Sequence, residues 1–269
     1  MSQTILITGA TDGIGLETAK VLVSLGHNVL IHGRNAIKLA DVEKKLNALA
    51  NANQVESYLA DLSKLSEVIG LASAIKNKHN KLDVLINNAG IYKTNQPISD
   101  SGIDIRFVVN TLAPYLLTQE LLPLLANTSR VVNLSSAAQA TVDLDALMGK
   151  KQFNDEFNAY AQSKLAITMW SFFMAQQLGD KGPNIIAINP GSLLATKMVK
   201  EGFGMPGKDI NIGSNILLRA SLSDEFAKAS GQYFDNDLGQ FAEPHKDAVD
   251  QQKNQALINA INNVLTQKL

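Results

Sequence analysis

Tyr160 and Lys164 are four residues apart in the chain, within residues 158–165. If this segment is helical, the two side chains lie on one face, with the phenol beside the ammonium. A neighbouring cation favours the phenolate, so we expect Lys164 to lower the pKa of Tyr160 from its usual value of about 10. A general acid works best when its pKa is close to the working pH. The pair therefore predicts a proton donor for a developing alkoxide, although the same spacing also occurs on solvated helix faces.

The composition is that of an ordinary globular protein. Of its 269 residues, 45% are hydrophobic and 18% are charged, and the formal net charge is −1, which gives no basic field for nucleic acid. Cysteine is absent and the four histidines lack ligand spacing, so we predict no metal site. The chain start does not resemble a signal peptide, and no apolar run approaches the roughly 20 residues that a bilayer span requires. We therefore expect a cytoplasmic protein that binds neither nucleic acid nor a membrane.

Short β-branched segments alternate with longer segments of helical period. The predicted strands are residues 4–8, 28–32, 55–60, 82–86, 130–134 and 184–188, with a last edge strand at 232–234. The predicted helices are residues 13–25, 36–50, 63–79, 103–126 and 153–178. This alternation predicts an α/β fold, a Rossmann-type doubly wound parallel sheet with helices on both faces. No linker or repeat interrupts the chain, so we predict that residues 1–269 form a single domain.

A glycine-rich turn follows the first predicted strand. Gly9, Gly13 and Gly15 have the spacing G-x-x-x-G-x-G, and a helix begins at once. Without a Cβ the backbone can approach a pyrophosphate, and the N-terminus of the helix supplies N–H groups and a positive dipole. The alternative is a strand–helix turn that binds no ligand. Three spaced glycines at the first βα junction of a doubly wound sheet favour a dinucleotide site.

The end of the second strand indicates which dinucleotide is bound. An acidic residue at this position would bind the ribose 2′-hydroxyl of NAD. Residues 31–35 contain no acid, and Arg34 can form a forked, charge-assisted contact with a 2′-phosphate. A surface arginine without a ligand is the alternative. We therefore predict NADP(H) as the cofactor.

Several motifs along the chain resemble those of the short-chain dehydrogenase/reductase family. They are TGATDGIG at 8–15, NNAG at 87–90, the serine pair at 135–136, Y-x-x-x-K at 160–164 and NPG at 189–191. Residues 137–159, 230–235 and 242–244 further resemble the retinol dehydrogenase-like and WW-domain oxidoreductase-like branch. The resemblance covers most of the chain and implies hydride transfer between a nicotinamide and a carbonyl or alcohol, although it does not identify retinol as the substrate.

The resemblance also implies the catalytic residues. Tyr160 matches the family's acid/base, and Lys164 matches the residue that binds the nicotinamide ribose and depresses the tyrosine pKa. Ser136 matches the serine that binds the substrate oxygen, with Ser135 as the competing choice. Asn110 matches the asparagine that holds a proton-relay water.

Most of the remaining motif residues are implied as cofactor ligands. Asp61 matches an adenine contact, Asn88 lies where the cofactor ribose passes, and Thr196 matches a carboxamide contact. The complete predicted cofactor set, besides Tyr160 and Lys164, is Gly9, Thr11, Asp12, Gly13, Ile14, Gly15, Arg34, Asp61, Leu62, Asn88, Ala89, Gly90, Pro190, Gly191 and Thr196.

Pro114 lies inside the predicted helix at 103–126, four residues after Asn110. Proline has no N–H, so it cannot donate to the carbonyl of Asn110 as a helical residue would. That carbonyl is then free to hold a water. A kink without a functional role is the alternative.

Residues 137–159 and 192–215 are predicted to set substrate specificity. The second segment contains Leu193, Leu194, Met198, Phe203 and Met205 among several glycines. This composition is typical of a mobile apolar loop over a hydrophobic ketone or aldehyde, although a surface loop that packs its own hydrophobic side chains is equally compatible. We therefore predict an NADP(H)-dependent carbonyl reductase acting on a small molecule. A non-catalytic NADP-binding sensor or scaffold and a lyase or epimerase are the alternatives. A homo-oligomer is compatible with the resemblance.

Overall fold

An eight-stranded sheet forms the centre of the structure, a computed structural model that describes residues 2–49 and 51–269, without the side chain of Phe203. The strands are β1 (Thr4–Ile7), β2 (Asn28–Gly33), β3 (Val55–Leu59), β4 (Val84–Asn87), β5 (Arg130–Leu134), β6 (Asn184–Asn189), β7 (Gln232–Asp235) and β8 (Gln240–Ala242). Their order is β3-β2-β1-β4-β5-β6-β7-β8, and all neighbours are parallel except β7 and β8. The predicted doubly wound parallel sheet is thus confirmed.

Helices cover both faces of this sheet. They are α1 (Gly13–Ser24), α2 (Ala36–Asn47), α3 (Leu65–Lys78), α4 (Ile105–Phe107), α5 (Ala113–Leu121), α6 (Leu144–Leu147), α7 (Glu156–Leu178), α8 (Lys197–Phe203), α9 (Asn211–Leu222) and α10 (Gln251–Lys268). One hydrophobic cluster contains side chains of α1, α2 and α9, and the other contains side chains of α3, α5, α7 and α10. In the described part of the chain, no helix has the length and apolar character that a bilayer span requires.

The strands are apolar along both faces because both faces are covered. Successive side chains of a strand point in opposite directions, so each of the strands β1 to β6 contributes to both clusters. In β1, Ile5 and Ile7 pack among α1, α2 and α9, whereas Leu6 packs against the opposite layer. All three side chains are fully buried.

The helix predicted at 103–126 is not continuous. A π-helical turn, Val108–Leu112, separates α4 from α5, and within it the Ala113 N–H donates to the carbonyl of Val108 five residues back. Pro114 lies in the first turn of α5, where a missing N–H costs little. Such single π turns are frequent at functional sites, and this one contains Asn110.

Most other predicted bounds lie within two residues of the observed ones, and three further points are informative. Helix α7 begins at Glu156 and not at 153, because the Asp155 carboxylate accepts the Phe157 N–H and caps the helix. Strand β7 is not the edge of the sheet, since β8 pairs outside it. The predicted second helix ends at Asn47 in the structure, and its predicted last residue, Ala50, lies outside the described residues.

The segment at 192–215 was predicted as a loop, and this prediction is wrong for much of its length. It contains the whole of α8 and the beginning of α9. The Thr196 hydroxyl starts α8 by accepting the Val199 N–H, and Gly204, with φ of +66°, ends it in the left-handed conformation. The apolar residues of this segment are therefore presented from a helix and from the turns on either side of it.

The strand order reverses between β1 and β4, which are neighbours in space but distant in sequence. In open α/β sheets, ligands bind at the carboxyl ends of the strands beside such a reversal. The glycine turn after β1 and the residues after β4 and β5 all lie at this edge.

Candidate active site

A cleft of about 920 Å³ opens at the carboxyl ends of the strands. All but two of the predicted site residues line it, from the glycine turn to the segment after β6. They are Gly9, Thr11, Asp12, Gly13, Ile14, Arg34, Asp61, Leu62, Asn88, Ala89, Gly90, Ser136, Tyr160, Lys164, Pro190, Gly191 and Thr196. The two exceptions, Gly15 and Asn110, lie behind the wall of the cleft and position the residues that form it.

The glycine turn adopts the conformation that its composition predicts. Gly9 and Gly13 have φ of +66° and +60°, a region that side chains disfavour. At Gly15, an added Cβ would lie 2.5 Å from Asn88 Nδ2 and 2.5 Å from the Gly9 carbonyl oxygen. Gly15 therefore allows α1 to pack closely against the turn.

Asn88 fastens the glycine turn to the end of β4. Its Nδ2 donates to the carbonyls of Thr8, at 2.8 Å, and Gly9, at 3.1 Å. In return, the Thr8 hydroxyl accepts the N–H groups of Asn88 and Ala89, at 3.1 and 3.0 Å. The amide N–H groups of the Asn88 side chain are therefore already bonded to the protein. These hydrogen bonds connect the ends of β1 and β4, where the strand order reverses.

His32, which was not predicted as a site residue, lies at the end of β2 and forms a hydrogen bond with the same turn. Its Nδ1 accepts the Gly9 N–H at 3.2 Å, and its Nε2 lies 3.0 Å from the Ala60 carbonyl oxygen, so Nε2 carries the proton. The ring is only 3% exposed, and burial lowers the pKa of His32 to about 4. His32 is therefore neutral near pH 7 and held in one tautomer. A histidine that directly follows the apolar residues 29–31 of a predicted strand could have indicated this role in the sequence.

Two cations lie at the mouth of the cleft beyond β2. Arg34 and Lys38 are exposed and both line the cleft. Asn35, between them, caps α2 by accepting the Lys38 N–H at 3.0 Å, and the first turn of α2 has no acid. Among residues 2–49 and 51–269, no carboxylate forms an ion pair with Arg34. Arg34 was predicted from the sequence, whereas Lys38, one helical turn further along, was not.

Asp61 lies on the adjacent wall, after β3. Its carboxylate accepts the Ser63 N–H at 3.0 Å, and its own N–H donates to the Glu67 carboxylate at 2.6 Å. These contacts fix the turn that also brings Leu62 to the cleft.

Tyr160, Lys164 and Ser136 meet in the middle of the cleft. The first two project from one face of α7, with Lys164 Nζ 5.7 Å from the centroid of the Tyr160 ring. Lys164 Nζ donates to the Leu134 carbonyl at 2.7 Å, which ties α7 to the end of β5. The Ser136 side chain interacts with the Tyr160 phenol and favours its ionised form. The three polar groups therefore converge on one wall.

The pKa of Tyr160 moves opposite to the prediction. Burial raises the pKa of the Tyr160 phenol above its usual value, and the nearby Tyr92 adds to the rise, whereas the Ser136 side chain opposes it without cancelling it. Burial also lowers the pKa of Lys164 to about 8. The expected lowering of the Tyr160 pKa by Lys164 is wrong, because loss of hydration is the largest influence on the phenol and Lys164 is not among the groups that oppose it. Tyr160 is consequently protonated at neutral pH.

The two serines after β5 have different surroundings. Ser135 is 3% exposed, and its hydroxyl donates to the Lys164 carbonyl at 2.9 Å and lies 2.7 Å from the Thr168 hydroxyl. Ser136 is partly exposed, and its hydroxyl lies beside Tyr160. This geometry favours Ser136 as the serine that faces a substrate, because the hydroxyl of Ser135 is engaged with α7.

Asn110 connects the segment after β4 to α7. Its Oδ1 accepts the Ile91 N–H at 2.8 Å, and its Nδ2 donates to the Ile91 carbonyl and the Ser163 hydroxyl, both at 2.9 Å. Ser163 in turn donates to the Tyr160 carbonyl at 2.7 Å. The Asn110 side chain thus has a structural task, and a role for its main-chain carbonyl in holding water stays a prediction.

The turn after β7 holds the segment after β6 in place. Asn189 Nδ2 donates to Asp237, at 2.9 Å, and the Ser192 N–H donates to the same carboxylate. Asn236 Nδ2 donates to the Pro190 carbonyl at 2.9 Å. Gly191 adopts φ of +118° within this segment. The chain between β6 and α8 is therefore anchored from residues far along the sequence.

The remaining wall of the cleft is mostly apolar. Leu193, Leu194 and Met198 line it from the segment that contains the start of α8, and Tyr92 and Phe157 also line it. The first three residues were named from the sequence, and Phe157 lies within the predicted specificity segment 137–159, whereas Tyr92 was missed. Phe203, predicted with them, has a side chain outside the described part.

The match to a family model defines the class of protein. Residues 3–205 match the model described as short chain dehydrogenase, which covers most of the chain. The protein therefore belongs to the short-chain dehydrogenase family. Members of this family are oxidoreductases that act on CH–OH and C=O groups with a nicotinamide cofactor.

Similar curated proteins narrow the class to the retinol dehydrogenase-like branch. Retinol dehydrogenase 12 of Mus musculus is 32% identical over 244 residues, which span 86% of this chain and 77% of that protein. Polyprenol dehydrogenase of Homo sapiens is 31% identical over 252 residues, which span 86% of this chain and 76% of that protein.

Solved structures agree with the fold. A structure of an uncharacterised protein from Mycobacterium paratuberculosis has a TM-score of 0.80 and 26% identity, and covers 97% of this chain and 92% of its own. A short chain dehydrogenase from Escherichia coli CFT073, complexed with NADPH, has a TM-score of 0.70 and 28% identity, and covers 87% of this chain and 96% of its own.

Proposed function

We propose that this protein is an NADP(H)-dependent oxidoreductase that reduces a hydrophobic ketone or aldehyde, or oxidises the corresponding alcohol. The observation that carries the proposal is the convergence of Tyr160, Ser136 and Lys164 on one wall of the cleft. Membership of the short-chain dehydrogenase family supports the reaction class.

The residues present fit a nicotinamide dinucleotide. An added Cβ on Gly13 would reach toward Thr196 across the cleft, to within 3.8 Å of its Cγ2. An added Cβ on Gly90 would lie 3.5 Å from Lys164 Nζ, so glycine leaves space beside the ammonium. The turn at Gly9 and the N-terminus of α1 would hold the pyrophosphate. Lys164 would bind a ribose hydroxyl, and Thr196 the carboxamide.

NADP(H) is proposed over NAD(H) because of the charges beyond β2. A 2′-phosphate there would meet Arg34 and Lys38 together, beside the capped N-terminus of α2. An acid that would repel the phosphate is absent from the first turn of that helix. The solved relative from Escherichia coli, complexed with NADPH, supports the same choice.

The protonation states of Tyr160 and Lys164 near pH 7 suit the reductive direction. The nicotinamide supplies the hydride when it is bound. Tyr160, protonated at neutral pH, donates its proton to the oxygen that becomes negative. The Ser136 hydroxyl stabilises the same oxygen. Lys164 remains largely charged near pH 7, because its pKa is about 8, and its charge favours the phenolate that forms.

A panel of carbonyl compounds tests this proposal directly. Oxidation of NADPH and of NADH is followed by absorbance with aldehydes and ketones that range from short polar to long apolar chains. We expect turnover with NADPH and larger kcat/KM for the apolar members. NADPH binding without turnover on any compound would instead favour a non-catalytic sensor, and products without net cofactor oxidation would favour a lyase or epimerase.

A further inference from the structure

Tyr92 lies directly against the predicted acid. Its ring centroid is 5.2 Å from that of Tyr160, with the planes at 61°, and 6.4 Å from that of Phe157, with the planes at 85°. Both are edge-type contacts of the kind that aromatic pairs prefer. Tyr92 is 8% exposed and lines the cleft beside the two rings.

A buried cation fixes the main chain of Tyr92. Arg106 is 1% exposed, and its guanidinium donates to the Tyr92 carbonyl at 3.3 Å and twice to the Asp104 carboxylate at 2.8 Å. The preceding peptide, Ile91, is held on both its N–H and its carbonyl by Asn110, one turn further along the helix. The ring therefore stands on a backbone that has little freedom to shift.

Helix α8 rests on the other side of the same ring. An added Cβ on Gly202 would lie 2.6 Å from Tyr92 Cε1 and 2.7 Å from Cδ1, distances that real Cβ atoms do not tolerate. Gly202 thus brings the backbone of α8 into direct contact with the ring. Helix α8 also carries Met198, which lines the cleft.

We propose that Tyr92 is a positioning residue. Its ring fixes the orientation of the Tyr160 ring and the position of α8 beside the substrate. This inference rests on the proposed function, since it assigns Tyr160 as the acid and the α8 side of the cleft as the substrate side. The main chain of Tyr92 is held by Arg106, so its ring has a fixed position between Tyr160 and α8. The distance between these two walls, which must accommodate the substrate, is thereby fixed as well.

Two glycine-to-alanine variants form a matched test. Gly202→Ala places a methyl group against the Tyr92 ring, whereas Gly70→Ala adds one on α3, where no atom lies within 4 Å. Both changes replace a glycine within a helix by a residue of higher helix propensity. Displacement of a substrate wall by about 1 Å can cost roughly 100-fold in rate. We expect Gly202→Ala to raise KM for the carbonyl substrate at least about tenfold with a smaller effect on kcat, and Gly70→Ala to change neither by more than about twofold.

Tyr92→Ala completes a double-mutant cycle. Removing the ring frees the Tyr160 side chain, so we expect this variant to lower kcat as well as to raise KM. With the ring gone, the methyl group at 202 has nothing to meet, so adding Gly202→Ala should cause no further change beyond about twofold. Fully additive effects of the two substitutions would overturn the proposal.

Hydrogen exchange of the α8 amides measures how firmly this helix is held. The measurement needs no turnover, and it does not depend on whether Tyr92→Ala folds. We expect faster exchange in Gly202→Ala than in Gly70→Ala. Equal exchange rates and equal kinetics in the two glycine variants would refute the proposal that Tyr92 positions α8. If the unmodified protein turned over no carbonyl, the proposed function would fail, and the exchange comparison would still decide whether α8 rests on Tyr92.

Discussion

Acidification should destabilise this protein through His32. The neutral ring accepts the Gly9 N–H through Nδ1 and donates to the Ala60 carbonyl through Nε2. A protonated ring has no acceptor, so it would leave the Gly9 N–H unpaired and place a charge in a site that is 3% exposed. Burial, which disfavours the charged ring, lowers the pKa of His32 to about 4.

The magnitude follows from proton linkage. The unfolded chain protonates near pH 6.5 and the folded one near 4, so the unfolded state binds more protons between these values and stability falls as the pH falls. Between pH 7 and pH 5, the free energy of unfolding should decrease by about 2 kcal/mol through this residue alone. Stability from this source is fully present above pH 7 and is lost as the pH approaches 4.

Urea unfolding of the protein and of His32→Gln, each at pH 7 and pH 5, measures this contribution. Other titrating groups are common to both proteins, so the difference between their pH-dependent changes isolates His32. We expect the decrease on acidification to be about 2 kcal/mol smaller in the variant. The same decrease in both proteins would refute the reasoning, as would an imidazole that titrates near 6.5 by NMR in the folded protein. NADPH affinity should fall only as the pH approaches 4, where His32 of the folded protein gains its proton, since the Gly9 N–H borders the cleft.

Three further outcomes are expected. Arg34→Asp should lower the ratio of kcat/KM with NADPH to that with NADH by roughly 100-fold, because a charge-assisted contact is replaced by repulsion; an unchanged ratio would contradict the assignment of the 2′-phosphate site. Tyr160→Phe should reduce turnover by at least about 100-fold while fluorescence titration shows NADPH binding retained, and substantial remaining turnover would remove Tyr160 as the acid. Gly15→Ala should lower the free energy of unfolding by about 2–4 kcal/mol, because the added Cβ displaces Asn88 from its two carbonyl partners; urea unfolding that matches the unmodified protein would show that the turn can relax.

The architecture was predictable because its signals are local. Apolar strands such as Ile5 to Ile7, each followed by a helical segment, leave few arrangements other than a parallel sheet covered on both sides. The interruption of the helix near Asn110 was less accessible. Pro114 predicted a disturbance there, but the sequence did not show that it would take the form of a π turn.

The site was predictable where it consists of motifs and unpredictable where it depends on tertiary packing. The turn glycines and Tyr160 were found from spacing, and the structure brings them to one cleft. Tyr92 and His32 were missed because their importance comes from partners distant in the chain. The pKa of Tyr160 was predicted in the wrong direction for a related reason: spacing reveals a neighbouring charge, whereas loss of hydration depends on everything packed around the ring.

Residues 189–192 are anchored by the turn after β7, so the segment between β6 and α8 depends on residues from the C-terminal part of the chain. A chain cut after residue 205, where the family match ends, would keep Ser136, Tyr160 and Lys164. It would nevertheless lose Asn236 and Asp237, which fasten the segment leading into α8. The last quarter of the sequence thus supports the segment between β6 and α8, and we expect changes in it to alter substrate specificity even where they touch no residue that lines the cleft.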